Sequence, residues 1–303
     1  MKILVTGGAG FIGSHLVDRY VGLGCEVIAV DNLSTGDRKN VHPQARFVHL
    51  GLSDQRLEKL ILEEKPDLIN HHAAQVNVRT SVSEPITDLE INLRDTIRLL
   101  DASGKAGIKK FIFASSGGAV YGECTDPPTE AAAPNPISPY GINKWAAERY
   151  VAFYAQSYGF DWTILRYANV YGPRQVPHSE SGVIAIFIDH LLKGIPPTIY
   201  GNGEQIRDFI HVHDVVEANM RFSRLNESIN DVFNVGTGRG TSLNELVSIL
   251  NRTLYQPIPA VYTRPKFGDL VRSILSIGKI EKWGWTPRID LEDGLKELFT
   301  RGG

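Results

Sequence analysis

Short runs of consecutive apolar, β-branched residues alternate with longer amphipathic stretches through the first half of the chain. The runs are KILVTG from residue 2, EVIAVD from 26, ARFVHL from 45, DLINHHAA from 67, KKFIFASS from 109 and DWTILRYANV from 161. A strand that is apolar at nearly every position has both faces covered, so the pattern predicts a parallel sheet with helical crossovers on each side. That is the doubly wound α/β, or Rossmann, plan. Near residue 172 the rhythm breaks. PRQVPHSESG and KGIPPTIYGNGEQ are rich in proline and glycine and predict loops around one helix over 183–193. DVFNVGTG then predicts a late strand, followed by helices that begin near Ser242 and Leu291. This later part is too irregular for a second doubly wound domain. It is expected to cap the carboxyl ends of the strands, where such folds bind ligands. The expected division is a main domain over 1–171, with returns near 207–222 and 231–240, and a smaller mixed substrate-binding region in the remainder of 172–303.

Composition narrows the field. At 303 residues, with 42% hydrophobic and 22% charged residues, the chain has the make-up of a soluble globular protein with a large core. Net charge is −2, with no basic tail or run of arginines, which argues against nucleic acid as a partner. Cys25 and Cys124 stand outside any CxxC or Cys/His cluster, as expected in a reducing cytosol. The opening MKILVTGG holds too short an apolar run for a signal peptide or a membrane span, so no membrane partner and a cytoplasmic location are expected.

The first strand runs straight into TGGAGFIGSHLVDRYVGLG. Gly8, Gly10 and Gly13 satisfy G-x-G-x-x-G, and Gly7, Gly10 and Gly13 the wider G-x-x-G-x-x-G. Such glycines permit a tight turn and close approach of a pyrophosphate, while the helix that follows offers unpaired N–H groups and the positive end of its dipole. Strand, glycine turn, helix and then Asp31, 18 residues after Gly13 at the end of EVIAVD, make the pattern specific for a dinucleotide. A carboxylate there accepts from a ribose diol and repels a 2′-phosphate, so the expected cofactor is NAD.

In SPYGINKWAAERY, Tyr140 and Lys144 lie four apart on one helix face. Beside a nicotinamide this spacing has a use. An ammonium next to a phenol favours phenolate, which lets Tyr140 take a proton from a substrate hydroxyl as hydride leaves the same carbon. Ser115 or Ser116, at the end of the fifth strand, is placed to hold the substrate oxygen. His71-His72 and His211-Val212-His213-Asp214 lack the further ligands of a tetrahedral site, so no metal is expected and they are read as structural. Trp283 and Trp285 are read as packing residues.

Taken together, TGGAGFIGSHL, DNLSTG, HHAAQ, the serine before VYGE, SPYGINKWAAE, RYANVYGPRQ, RDFIHVHDVV, NVGTG and GWTP resemble the extended short-chain dehydrogenase/reductase family, and within it the nucleotide-sugar 4-epimerases. The resemblance runs from Met1 to about Leu298. It implies that Gly7, Gly10, Phe11, Ile12 and Gly13 hold the pyrophosphate, and that Asp31, Asn32, Ser34 and Gly36 follow the adenosine ribose. Leu52, Ala73, Ala74 and Gln75 would line the dinucleotide, with Asn92 steadying the structure near the reacting groups. Ser116, Tyr140 and Lys144 would be catalytic. On the substrate side it implies Asn169 and Arg207 at the diphosphate, with Val183, Lys266 and Asp269.

Four departures qualify the match. SGGAVYG carries one residue more than the usual stretch, which leaves Ser115 open beside the preferred Ser116. Gly51, in LGLSD, stands where the family usually has an aspartate that reads adenine. In RPKFGDLVRS either Arg264 or Lys266 falls at the position of a diphosphate arginine. Ser273, four residues beyond Asp269, replaces a bulky tyrosine and leaves room at the sugar 2-position, so N-acetylated sugars are expected alongside UDP-glucose and UDP-galactose. The resemblance also implies a homodimer built from the helix over about 87–105 and the helix that carries Tyr140. Gly117, Gly118 and Ala119 stand where a 4,6-dehydratase wants an Asp-Glu pair. A UDP-glucuronate 4-epimerase or decarboxylase, and a non-catalytic dinucleotide sensor, are the alternatives to 4-epimerisation with retained NAD.

Overall fold

The computed structural model describes residues 1–177, 182–252, 254, 256–265 and 270–300. Its strands are β1 Lys2–Thr6, β2 Glu26–Asp31, β3 Arg46–His49, β4 Leu68–His71, β5 Lys110–Ser116, β6 Asp161–Tyr167, β7 Asn169–Tyr171, β8 Thr198–Tyr200, β9 Ile206–Arg207, β10 Phe209–His211, β11 Asp231–Val235, β12 Thr241–Ser242, β13 Val261–Thr263 and β14 Arg272–Ser273. The helices are α1 Phe11–Gly22, α2 Gln55–Glu64, α3 Val78–Ser83, α4 Pro85–Leu89, α5 Asp95–Ala106, α6 Gly117–Tyr121, α7 Pro139–Tyr158, α8 Val183–Leu192, α9 Val212–Phe222, α10 Leu243–Asn251, α11 Gly278–Lys282 and α12 Leu291–Thr300.

Seven strands form one parallel sheet in the order β11-β6-β5-β4-β1-β2-β3. The six strands expected from the apolar runs are there, and the late strand joins them beside β6. From β1 the chain winds outward through β2 and β3, then returns to place β4 on the other side of β1. That reversal is the switch point at which open α/β sheets bind ligands.

The sheet is apolar on both faces because each face has its own core. Leu16, Val17 and Tyr20 of α1 pack with Val215 and Phe222 of α9 on one side. Leu57 and Ile61 of α2, Leu99 and Leu100 of α5, and Ala147 and Val151 of α7 fill the other. A third cluster joins Ile184, Phe187 and Leu191 of α8 to Leu246 and Leu250 of α10 and Leu295 of α12. Around it small sheets pair β8 with β13 and set β9 between β12 and β14. Among the described residues no helix is long and apolar enough to cross a membrane.

The expected continuous helix over 87–105 is interrupted. It begins at Pro85, and residues Glu90–Arg94 form a wide π-turn between α4 and α5. Thr96 Oγ1 donates to the Asn92 carbonyl at 2.9 Å inside this turn. A π-turn carries an extra residue, and such turns gather at functional sites. Here it presents Asn92 toward the end of β4.

Candidate active site

The glycine turn is built for close approach. Gly7 has φ +68°, and a β-carbon there would meet the Ala73 nitrogen at 2.8 Å, so β1 and β4 nearly touch at their ends. At Gly13 an added β-carbon would lie 2.0 Å from the Gly7 carbonyl oxygen, a backbone clash with no relief. Gly10 caps α1 without a side-chain hydrogen bond, which leaves the first N–H groups of that helix, those of Phe11, Ile12 and Gly13, for an anion. Asp31 is buried at the end of β2. It accepts from the Ala9 amide at 3.0 Å and the Leu33 amide at 2.7 Å, which fixes its carboxylate beside the turn. Gly36 crosses over Ala9 at a distance that a β-carbon would bring to 2.9 Å. Asn32 accepts from the Ser34 amide at 3.0 Å. Leu52 packs on the second core at the edge of this groove. A cradle that β-carbons would fill, open helix N–H groups and a fixed acid fit a dinucleotide.

At the far side of the switch point β5 delivers two serines to opposite surroundings. Ser115 is buried and donates to Glu148 Oε1 at 2.6 Å. Ser116 lies close enough to the Tyr140 phenol to ease its ionisation. Successive residues of a strand point to opposite faces, so only one of the pair can meet Tyr140, and it is Ser116. Tyr140 stands in the first turn of α7, where Ser138 caps the helix by accepting from the Gly141 amide at 3.2 Å. Lys144, one turn on, donates to the Ala114 carbonyl at 3.0 Å, and its Nζ lies 5.9 Å from the Tyr140 ring centre.

The expected ammonium–phenol contact is therefore looser than the spacing suggested. Burial pushes the Tyr140 phenol up, the Asp88 charge adds to the effect, and the neighbouring Ser116 hydroxyl opposes it. Burial pulls Lys144 down to about 8, against the upward influence of Asp88 and Glu148. The lysine spends its hydrogen bond on β5 and acts on the phenol through space.

Two buried carboxylates close to these residues, Glu148 and Asp88, escaped the sequence reading. Glu148 completes a Tyr140, Lys144, Glu148 row at i, i+4 and i+8, a signal that was present in the spacing. It binds Arg166 through two contacts of 2.9 and 2.6 Å, and Arg166 Nη1 donates to the Tyr121 hydroxyl at 2.7 Å. That hydroxyl donates to Asn234 at 2.9 Å, so the network reaches from α7 across β6 to β11. Asp88 is the second, held by amides of Gln75, Asn92 and Asn143. Asn92 also accepts from the Gln75 amide at 3.1 Å and donates to the Gln75 carbonyl at 2.8 Å, which gives its expected steadying role a geometry.

On the substrate side, Asn169 begins β7 and Arg207 lies in β9, directly opposite Ser273 of β14. An added β-carbon on Gly118 would meet Ser273 Oγ at 2.8 Å, and one on Gly117 would meet Leu275 at 2.6 Å. The two glycines after Ser116 thus let β14 close against the site. Val183 opens α8 and packs on the third core. Lys266 and Asp269 lie outside the described residues. Arg264 is exposed.

The histidines follow hydrogen-bond logic. Thr96 Oγ1 donates to Asn92, so it accepts from His71 Nε2 at 3.1 Å, and His71 Nδ1 accepts from Thr6 at 2.6 Å. His211, His213 and Glu297 bring three ligand atoms within 4.8 Å of one another. His211 Nδ1 accepts from the His213 amide at 3.3 Å, which assigns the ring proton to Nε2, 3.6 Å from Glu297. A protonated Nε2 has no lone pair for a metal. Trp285 is buried, with its indole N–H on the Asp214 carbonyl, and Trp283 packs on Phe222 and Phe233.

Comparison with known proteins agrees with this geometry. The putative UDP-glucose 4-epimerase of Methanocaldococcus jannaschii is 46% identical over 297 residues, 98% of this chain and 96% of its own. The structure of the Thermotoga maritima UDP-glucose 4-epimerase with UDP-glucose superimposes with a TM-score of 0.96 at 46% identity, covering 100% of this chain and 99% of that one. A UDP-N-acetylglucosamine 4-epimerase from Methanobrevibacter ruminantium, in complex with UDP-N-acetylmuramic acid, gives 0.92 at 36% identity and covers 100% and 99%. Residues 3–236 match the NAD dependent epimerase/dehydratase family as a whole, and with its glycine turn, Asp31 and the Ser116–Tyr140–Lys144 group the chain belongs to that family.

Proposed function

We propose that the protein interconverts UDP-glucose and UDP-galactose by NAD-dependent 4-epimerisation and accepts their N-acetylated forms. The observation that carries this reading is the meeting of Ser116, Tyr140 and Lys144 at the switch point, beside a cradle that fits NAD. Bound NAD would supply a hydride acceptor and donor at the sugar C4. Tyr140 would take the proton of the 4-hydroxyl and later return it, with Ser116 holding the same oxygen. Lys144, kept beside the ring by Ala114, would favour the phenolate as the proton leaves. Arg207 would grip the diphosphate with a planar fork while the sugar turns over. Residues 1–171, with 207–222 and 231–240, would serve the cofactor and the rest the sugar nucleotide. Gly117, Gly118 and Ala119 stand where a dehydratase needs acids.

The test follows UDP-galactose by proton NMR with no added NAD. UDP-glucose should appear, and UDP-N-acetylglucosamine should likewise yield its 4-epimer. Ser273→Tyr should cut kcat/KM for the N-acetylated sugar about a hundredfold while leaving UDP-galactose within about threefold. Absence of any turnover of UDP-N-acetylglucosamine by the parent would remove that part of the proposal.

A homodimer in the cytoplasm completes the reading. Ile142, Trp145 and Phe153 form an exposed apolar row on α7, beside Ile86 and Leu89 of α4. Ile86 is 68% and Phe153 59% exposed, apolar surface that a partner subunit would cover. Ile142→Glu with Phe153→Glu should halve the mass measured by light scattering. A parent that already runs as a monomer would refute the dimer.

A further inference from the structure

We propose that Asp88 is a positioning residue of this site, whose buried carboxylate sets the electrostatic potential around Tyr140 and Lys144; the proposal rests on the reading of those two as reacting groups. Asp88 is fully buried on α4. Its Oδ1 accepts from Gln75 Nε2 at 2.7 Å and Asn92 Nδ2 at 2.9 Å, and its Oδ2 from Asn143 Nδ2 at 2.7 Å. All three donors are neutral amides. They satisfy the oxygens without cancelling the charge, and a charge in a poorly screened interior acts over several ångströms.

The grip also ties three elements together at the right place. Gln75 follows β4 at the cofactor groove, Asn92 lies in the π-turn, and Asn143 immediately precedes Lys144 on α7. The field of a carboxylate there favours the ammonium of Lys144 and disfavours the phenolate of Tyr140. The direction of both groups agrees, since Asp88 acts upward on each.

Among the described residues Asp88 has no ion-pair partner, in contrast to other charged groups on the elements around this pair. Glu148, farther along α7, is matched by Arg166 of β6. Asp95 of α5 lies 3.0 Å from Arg94. Arg79 of α3 is exposed. His71 at the end of β4 and His72 just after it are held neutral by burial, with the Lys144 charge acting in the same direction. Lys110 sits at the opposite end of β5 on the carbonyls of Arg224 and Glu227. The α6 segment GGAVY carries no side-chain charge.

This geometry permits a clean substitution. In Asp88→Asn the oxygen that serves Gln75 and Asn92 can remain, and the new amide meets Asn143, whose own amide can flip to accept. Charge is removed and every hydrogen bond is kept. In Asp88→Asn with Asn143→Asp, the same pair is exchanged and the charge returns one residue from Lys144.

The experiment is a 13C NMR titration of the lysine Cε signals in the purified full chain, with Lys144 assigned by Lys144→Arg, beside the pH profile of kcat/KM. The Lys144 midpoint, about 8 in the parent, should fall by about one pH unit in Asp88→Asn. The acid limb of kcat/KM should move to lower pH as well, because phenolate forms more readily without the carboxylate. The exchanged double variant should restore both. An unchanged Lys144 midpoint in Asp88→Asn, or activity lost with the profile unmoved, would overturn the proposal. Should the protein prove not to be an epimerase, the Lys144 titration still decides the electrostatic claim by itself.

Discussion

Tyr140→Phe is expected to lower kcat for UDP-galactose by about 10²- to 10⁴-fold, the range that a positioned general base supplies. The substitution deletes one oxygen and leaves the ring in its buried place against α7 and β5. It removes the phenol oxygen beside Ser116 and nothing that holds the glycine turn or Asp31. Binding of NAD and the thermal midpoint should therefore stay close to those of the parent, with a change in stability of about 1 kcal/mol. Measured together, turnover and cofactor retention separate the two roles of this residue. A variant with parental turnover would show that the phenol moves no proton and that another group serves as the base.

The second large effect is on stability. Glu148 and Arg166 are both almost wholly buried, and Glu148→Gln would leave the guanidinium without its counter-charge. Breaking a buried pair from one side costs about 3–5 kcal/mol. For a chain of this size a Tm fall on the order of 10 °C should follow, read by calorimetry. Adding Arg166→Met should recover most of the loss, because a neutral pair no longer carries an unpaired charge; Tyr121 would keep its bond to Asn234. If Glu148→Gln melted within about 2 °C of the parent, the network would contribute far less to the fold than its geometry implies.

These two residues show what chain order can and cannot reveal. Tyr140 and Glu148 lie on one helix face, yet one declared itself through a known spacing and the other did not. The partner of Glu148 on α7 is Arg166, 18 residues away on β6, so its burial and charge balance appear only once the helix packs on the sheet. Asp88 falls in the stretch that the sequence predicts as one continuous helix over about 87–105. Its meaning depends on the π-turn that brings Asn92 beside it, and on α7 packing across both.

By itself, the sequence determined the parallel sheet, the glycine turn, Asp31 and the Tyr140–Lys144 pair, because each rests on local periodicity or on short fixed spacing. Six apolar runs demanded a sheet covered on both faces, and the strand, turn and helix around Gly7, Gly10 and Gly13 required no distant contact. Tertiary structure decided which serine meets Tyr140, since strand pleat turns Ser115 to Glu148 and Ser116 to the phenol. It also decided the state of the charges. Burial raises Tyr140, lowers Lys144 and leaves Asp88 poorly screened, and burial is a property of the packed chain that no local stretch of residues contains.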